Sequence, residues 1–233
     1  KVTLELGGKS PAIVFKDVKD KQVAIQGAAN AIFFNHGQCC AAGSRLYVEK
    51  AIFDEVVGGV AERANKIKLG AGVDAGTEMG PLVSEEQFNR VSGFIAEGLK
   101  AGATALAGGQ HVGEKGYFVQ PTVFTNTRPD MKIVREEIFG PVVVAEPFED
   151  LEGVMKLANS TDFGLASSIW TSDLSKAHRA AEIMRAGTVW INCHNIFDAA
   201  MPFGGYKQSG WGREMGHEAL ELYTETKAIC IAL

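Results

Sequence analysis

Four consecutive small apolar residues, Val142-Val143-Val144-Ala145, constrain the fold of this chain more than any other segment. A strand that alternates apolar and polar residues can leave one face in water, whereas a continuous, mostly β-branched run must be covered on both faces. Strands of that kind belong to parallel sheets with helices packed on each side. The run therefore predicts an α/β fold, with an open, mostly parallel, twisted sheet and flanking helices.

The remaining sequence alternates strand and helix patterns, as that fold requires. An amphipathic helix begins near Phe53, and Ser84 with Gln87 three positions later forms a capping-box signature for a helix that runs to about Leu99. A further helix over about 214–222 and a strand over 226–231 are expected at the end of the chain. Other strands are predicted at 11–15, 45–49, 165–170 and 188–192, with helices at 22–34, 151–158 and 174–184.

Charge and hydropathy exclude several function classes. The chain has 23 Lys and Arg against 28 Asp and Glu, a net charge of −5, and it has no dense basic run. Nucleic acid and anionic membrane surfaces are therefore not expected as partners. No apolar stretch approaches the length of a membrane span, which is about 18 residues or more, and the N-terminus lacks signal-peptide features. We expect a cytoplasmic protein that contacts no membrane.

The four cysteines, Cys39, Cys40, Cys193 and Cys230, show no spacing typical of zinc or of a disulfide scaffold. Adjacent cysteines bridge only with considerable strain. We therefore predict free thiols, a reducing compartment and no metal site.

One cysteine pair lies in a segment suited to chemistry. Cys39 and Cys40 follow the helix-breaking pair Gly37-Gln38 and precede small residues, so a thiol on this turn would be accessible to a substrate and close to backbone N–H groups. From the residues alone, a buried structural turn is an equally good interpretation. His36 could act as a general base, but a histidine on the surface or one that packs the loop is favoured, since catalytic Cys–His pairs are usually distant in sequence.

Carboxylates supply two further candidates. Glu5 lies in an apolar strand beside Gly7, where burial would raise its pKa and suit it to activating water; a solvent-facing strand-end carboxylate is the alternative. Glu136 and Glu137 precede an aromatic residue and a Gly-Pro turn, which fits a ribose contact or, alternatively, the first turn of a helix. The segment 70–76 has one residue too many for a dinucleotide fingerprint, so any phosphate cradle lies elsewhere.

Together these segments resemble the aldehyde dehydrogenase family over essentially the whole chain. The resemblance rests on their order and spacing as well as on their residues. The matching segments are LELGGK at 4–9, GQCC at 37–40, EEIFGP at 136–141, NSTDFGLAS at 159–167, GTVWIN at 187–192 and PFGGYKQSG at 202–210.

The resemblance implies a role for each candidate residue. Cys40 would be the nucleophile, Glu5 the general base that activates the hydrolytic water, and Glu214 a member of a proton relay. Glu137 would hold the nicotinamide ribose, with Phe139 near the nicotinamide ring and Gly7 beside the cofactor. The aldehyde pocket would be lined by Phe34, Cys39, Phe197 and Phe203, although core packing remains the alternative for the aromatic residues.

The resemblance also implies the organisation of the protein. Residues 1–7 would be the end of a nucleotide-binding domain, 8–208 the catalytic domain, and 209–233 a C-terminal helix and strand. The chain then resembles the catalytic half of a longer enzyme, and we expect it to be inactive alone. NAD is the expected cofactor, with NADP as an alternative, and the apolar C-terminal strand would pair with another subunit in a homodimer or homotetramer.

The implied reaction oxidises an aldehyde to a carboxylic acid through a thiohemiacetal and a thioester on Cys40. A cysteine-dependent esterase and a non-catalytic binding or structural protein are the alternatives. The apolar and aromatic residues of the loop 193–201 favour an aliphatic or arylalkyl aldehyde, for example one of the phenylacetaldehyde type.

Overall fold

The computed structural model describes residues 1–233. The strands are β1 (Leu4–Glu5), β2 (Pro11–Val14), β3 (Arg45–Glu49), β4 (Thr104–Ala107), β5 (Thr122–Thr125), β6 (Val142–Phe148), β7 (Phe163–Gly164), β8 (Ala166–Trp170), β9 (Thr188–Ile191), β10 (Tyr206–Lys207) and β11 (Gly210–Trp211). The helices are α1 (Lys21–Phe33), α2 (Phe53–Lys66), α3 (Glu85–Lys100), α4 (Lys132–Arg135), α5 (Leu151–Ala158), α6 (Leu174–Ile183) and α7 (Glu218–Tyr223).

Seven of these strands form the central sheet, in the order β4-β5-β6-β3-β2-β8-β9. Every neighbouring pair is parallel except β4 with β5, which is antiparallel at one edge. The run Val142–Ala145 lies in β6, flanked by β5 and β3, and its four residues are at most 2% exposed. The prediction of an α/β fold with a mostly parallel sheet is confirmed.

Helices cover both faces of the sheet, so successive residues of one strand enter different cores. In β2, Ala12 and Val14 pack with α1 and α2, whereas Ile13 packs on the opposite side with residues of α5 and α6. In β6, Val143 joins the first core, while Val142 and Val144 meet α3. This alternation explains why neither strand shows a polar period in the sequence.

Two short antiparallel pairs lie outside the main sheet: β1 with β11, and β10 with β7. Ser209 joins them, since its carbonyl accepts from Leu6 N–H at 3.1 Å and its Oγ accepts from Gly164 N–H at 3.0 Å. Ser209 is fully buried. The pairing fixes β1, which carries Glu5, against the body of the protein.

The capping box predicted at Ser84 and Gln87 is half formed. Ser84 Oγ accepts from Gln87 N–H at 3.2 Å and caps α3, but the Gln87 side chain does not return to the cap. Its Nε2 instead donates to the carbonyls of Ile138 and Phe139, at 3.1 and 2.6 Å. Two carbonyls from a distant loop therefore replace the local partner of a full capping box.

The predicted strand at 226–231 is wrong for the single chain. These residues form no strand and have no ladder partner, with Ile229 79% and Ile231 76% exposed. An apolar β-branched run forms a strand only when a ladder partner is present, and no strand of this chain lies beside it. The preceding helix also begins later than predicted, at Glu218. None of the helices is both long and apolar enough to cross a bilayer.

Candidate active site

The cysteine turn is built from backbone that reverses direction over three residues. After α1 ends, Asn35, His36 and Gly37 all have left-handed conformations, with φ of 48°, 60° and 67°. A Cβ on Gly37 would lie 2.0 Å from the Gly140 carbonyl oxygen, so the residue must be glycine. The strained turn packs against Gly140, and Cys39 and Cys40 follow it, beyond the end of α1.

Side chains of the turn hold it to neighbouring loops. Asn35 Nδ2 donates to the Gln38 carbonyl at 2.8 Å, and Gln38 Oε1 accepts from Val83 N–H at 3.1 Å. His36 Nε2 accepts from Gly80 N–H at 3.0 Å, which occupies the nitrogen that a general base would use. His36 therefore packs the loop, in line with the interpretation favoured from its sequence position.

The two thiols share a hydrogen bond, and this decides how the pair titrates. The hydrogen bond from Cys40, assisted by the backbone N–H groups of Ala41 and Ala42, lowers the pKa of Cys39 to about 6. The same bond, together with burial and the negative charge of Glu5, raises the pKa of Cys40. The pair therefore releases one proton readily and retains the second, so that one thiolate is present at neutral pH.

Glu5 lies close enough to Cys40 for its charge to influence that thiol. Burial, followed by the charge of Glu214, raises the pKa of Glu5, while Arg213 and a backbone hydrogen bond from Gly205 act in the opposite direction. Its Oε2 is buried and has no hydrogen-bond partner within the chain. A carboxylate in this environment has the raised basicity and the vacant acceptor that activating a water requires.

Two adjacent glycines bring the catalytic candidates together. A Cβ on Gly8 would lie 2.0 Å from the Cys40 carbonyl oxygen, and a Cβ on Gly7 would lie 2.4 Å from Glu137 Oε2. The segment that begins at Glu5 is thus packed against both the cysteine turn and the Glu137 carboxylate. Only glycine allows an approach this close.

The loop that carries Glu137 is held from several sides. Glu137 Oε1 accepts from Gly8 N–H at 2.9 Å, and Arg90 donates to the Glu137 carbonyl at 2.6 Å. Burial raises the pKa of Glu137, against the effects of Gly8 and of the Lys9 and Arg90 charges. The helix-start interpretation is wrong, since Glu136 follows the C-terminal end of α4. Phe139, held by Gln87 as described above, has a strained φ of 60°.

Two of the predicted pocket residues border one cleft of about 530 Å³, whereas Phe203 and the cysteines do not line it. Phe34 and Phe197 line it, and the ring of Phe197 lies 5.3 Å from Phe203 and 5.5 Å from Trp190. Phe34 is 62% exposed, which excludes core packing as its role. Phe203, Cys39, Cys40 and Cys193 all pack against one small buried cluster around Trp190. Phe197 therefore connects the cleft to the cluster that packs against the thiols.

Glu214 is the most peripheral of the candidates. Its backbone exchanges two hydrogen bonds of 2.7 Å with Phe203, and its side chain is exposed. Through its charge it raises the pKa of Glu5. Glu214 is therefore bound through its backbone to Phe203 and acts through its charge on Glu5. No group of three or more His, Cys, Asp and Glu side chains is arranged to hold a metal ion.

Sequence reasoning missed Gln87, Arg90 and His194, which hold the site from outside. Gln87 and Arg90 bind backbone carbonyls of the Glu137–Phe139 loop, and His194 contacts the Ala41 carbonyl. A side chain that binds a distant carbonyl leaves no local pattern. Gln87 was named from the sequence only as a partner in a capping box, and neither Arg90 nor His194 carries a signal of its role.

Comparison with known proteins gives a uniform picture. The model of the aldehyde dehydrogenase family matches residues 1–229. An aldehyde dehydrogenase of Emericella nidulans is 52% identical over 229 residues, and retinal dehydrogenase 2 of Gallus gallus is 47% identical over 233 residues. The alignments cover 98% and 100% of this chain, but 46% and 45% of those proteins. The chain thus spans about half the length of the curated relatives it matches.

Solved structures agree with these relatives. The NAD⁺ complex of an aldehyde dehydrogenase from Bacillus cereus superposes with a TM-score of 0.94 at 54% identity, covering 97% of this chain and 46% of that one. An indole-3-acetaldehyde dehydrogenase of P. syringae in complex with NAD⁺ gives a TM-score of 0.97 at 45% identity, covering 100% of this chain and 48% of that one.

Proposed function

Because the chain belongs to the aldehyde dehydrogenase family, we propose that it supplies the thiol chemistry for NAD-dependent oxidation of an aldehyde to a carboxylic acid. The observation that carries this proposal is the packing of both Cys40 and Glu137 against Gly7-Gly8, two residues after Glu5. A nucleophile, a base and a ribose-binding carboxylate are thereby gathered around one short segment.

Cys40 begins the reaction by adding its sulfur to the aldehyde carbon, which forms a thiohemiacetal and places negative charge on the aldehyde oxygen. The Cys40 N–H donates no hydrogen bond within the chain. It is therefore available to stabilise that oxygen as a preorganised donor. Cys39, whose pKa is the lowered one, is the thiolate of the pair, and it takes the proton of the Cys40 thiol through their shared hydrogen bond as the Cys40 sulfur attacks.

Glu5 completes the reaction. Once hydride has left the thiohemiacetal carbon, a thioester joins the acyl group to Cys40. The Glu5 carboxylate then takes a proton from a water that attacks the thioester carbon, and the carboxylic acid leaves while the C–S bond breaks and the Cys40 thiolate is released. Glu214, exposed beside Glu5, carries that proton towards solvent.

The residues present fit a nicotinamide cofactor. Glu137 offers a half-buried carboxylate whose Oε1 accepts a hydrogen bond from Gly8 N–H. Because Gly7 has no side chain, the space next to Glu137 Oε2 stays open. Glu137 would accept hydrogen bonds from the ribose hydroxyls, and Phe139 would lie beside the ring. When bound, the nicotinamide supplies the acceptor for the hydride. NAD is preferred to NADP, because the similar structures are NAD⁺ complexes.

An aliphatic or arylalkyl aldehyde suits the cleft bounded by Phe34 and Phe197. A phenylacetaldehyde-type substrate would stack on these rings. The similarity to an indole-3-acetaldehyde dehydrogenase supports a substrate with an aromatic group.

The wider organisation of the protein is also proposed. Residues 1–7 would be the end of a nucleotide-binding domain, 8–208 the catalytic domain, and 209–233 a C-terminal helix and strand that return towards the cofactor and oligomerisation region. The pairing of β1 with β11 apart from the main sheet supports the return of the last segment to the first. The exposed apolar segment 226–231 would pair with a second subunit in a homodimer or homotetramer. All four cysteines are free, in keeping with the reducing cytoplasm.

The test is to assay the intact protein with short aliphatic aldehydes and phenylacetaldehyde, with NAD⁺ or NADP⁺, by following reduced-cofactor absorbance. We expect cofactor reduction at a rate that depends on the aldehyde. Ester hydrolysis without any aldehyde-dependent cofactor reduction would instead favour the esterase alternative. Inactivity in both assays would favour a non-catalytic protein.

A further inference from the structure

His194 lies in the loop after β9 and contacts the nucleophile turn, although no step of the proposed reaction uses it. Its Nε2 lies 3.0 Å from the Ala41 carbonyl oxygen, and its ring lies 4.7 Å from the ring of Trp190. Burial lowers the pKa of His194 to about 4, so the ring is neutral at physiological pH. Since a carbonyl only accepts, Nε2 carries the proton and donates it to Ala41.

The peptide bound by His194 is one that supports the thiol pair. In a trans peptide the C=O and N–H groups point in opposite directions. The carbonyl of the Ala41–Ala42 peptide points to His194, and its N–H points to Cys39, where it donates to the carbonyl at 3.0 Å and helps lower the pKa of the thiol. A hydrogen bond at one end therefore fixes the direction of the donor at the other.

The preceding peptide is fixed in a different way. The Cys40 carbonyl lies against Gly8, where no side chain fits, and the N–H of that peptide, on Ala41, faces both sulfurs. Close packing thus holds the Cys40–Ala41 peptide. For the Ala41–Ala42 peptide, the corresponding support at the carbonyl is His194.

We infer that His194 is a positioning residue of the nucleophile turn: its Nε2–H clamps the Ala41 carbonyl and thereby aims the Ala42 N–H at the cysteine pair. The Nδ1 atom is buried without a partner, so a single hydrogen bond holds the polar side of the ring. The inference rests on the proposed function and deepens it: the His194 ring also lines the cleft with Phe34 and Phe197, and the clamp assigns its Nε2–H to forming the reactive thiolate.

Two substitutions by neutral amides distinguish a hydrogen-bonding role of His194 from simple packing. In His194→Gln the amide nitrogen lies near the position of Nε2 and can still reach Ala41, whereas in His194→Asn it lies near that of Nδ1 and cannot. The readout is the rate of iodoacetamide alkylation at Cys39 and Cys40 across a range of pH, followed by peptide mass spectrometry in the intact protein. The charged groups that act on the pair, Glu5 and Glu137, are unchanged in both variants. The same substitutions at His178, which is exposed on α6, are the matched controls.

The Asn variant should alkylate roughly five-fold more slowly at neutral pH, as expected for the loss of one hydrogen bond, and its profile should move to higher pH. The Gln variant should follow the wild type. His194→Leu replaces the Asn variant if that protein does not fold. Equal profiles for all variants, or a Gln variant that does not fold or reacts as slowly as Asn, would overturn the inference. Alkylation needs neither aldehyde nor NAD⁺, so these outcomes are separate from a failure of the proposed oxidation.

Discussion

Glu5 is partly buried beside a like charge, and one of its carboxylate oxygens is buried without a hydrogen-bond partner. Burial and the Glu214 charge both favour the protonated form, so Glu5 holds a proton more tightly than an ordinary glutamate. A base of this kind is matched to taking a proton from water near neutral pH.

Glu5→Gln should therefore leave the first turnover intact and slow the later ones. In the proposed reaction, thiol addition and hydride loss do not use Glu5, whereas thioester hydrolysis does. We expect a normal burst of reduced cofactor followed by a steady-state rate lower by roughly 10²-fold or more. Stopped-flow absorbance measures both phases, with Glu114→Gln in an exposed loop as the control. A wild-type steady-state rate would remove Glu5 from the mechanism.

Lys9 is a buried charge whose effect depends on pH. It is 1% exposed, its Nζ has no partner, and burial lowers its pKa to about 7 from 10.5. Below about pH 7 both the folded and the unfolded chain carry the proton, so the cost of the buried ammonium is fully present. The cost fades between about pH 7 and 10.5, where the folded state is already neutral and the unfolded state is losing its proton.

Lys9→Met should thus stabilise the protein most at mildly acidic pH, by on the order of a few kcal/mol, with a gain that shrinks as the pH rises through this window. Urea unfolding at several pH values measures it. Lys19→Met, at an exposed position, should show no such trend. A gain that grows with pH would show that Lys9 is charged and well paired in the folded protein.

At the scale of elements, the short strand β1 depends on β11 and on Ser209. Two residues of ladder cannot hold a strand alone, so the Ser209 carbonyl and hydroxyl, which tie Leu6 and Gly164 together, are needed to fix Glu5. The position of Glu5 therefore depends on this junction, which consists of β1, β11 and Ser209.

Ser209→Ala should leave the buried Gly164 N–H without an acceptor and lower the free energy of unfolding by about 1–3 kcal/mol. Urea titration followed by circular dichroism measures the change. Ser175→Ala, at an exposed position on α6, is the matched control and should change little. Equal stabilities for the two variants would mean that the Ser209 hydroxyl does not support the junction.

The elements of the central sheet could be predicted because each carries a local pattern. Val142–Ala145 has the composition of a doubly buried strand, and Ser84 caps its own helix. The junction of β1 with β11 could not, since it pairs residues about two hundred positions apart through only two residues each. The segment 226–231 failed for the opposite reason: its pattern is local, but a strand also needs a partner.

On the scale of the whole molecule, the sheet and its helices bring together residues from both ends of the chain. The charge of Glu214, near the C-terminal end, raises the pKa of Glu5, near the N-terminal end. Cys40, Glu137 and Phe203 come from three regions between them. The family resemblance named these residues, but the backbone contacts that gather them, such as Gly8 against the Cys40 carbonyl, appear only in the folded protein.

The central claim, that Cys40 is the nucleophile of an aldehyde oxidation, is tested most directly by trapping its acyl intermediate. The intact protein is mixed with an arylalkyl aldehyde and NAD⁺, quenched in acid, and digested for mass spectrometry, alongside Cys40→Ala and Cys39→Ala. We predict an acyl group on Cys40 in the wild type and in Cys39→Ala, and neither acyl group nor reduced cofactor in Cys40→Ala. Aldehyde-dependent cofactor reduction that persists in Cys40→Ala, or an acyl group found on Cys39, would contradict the account.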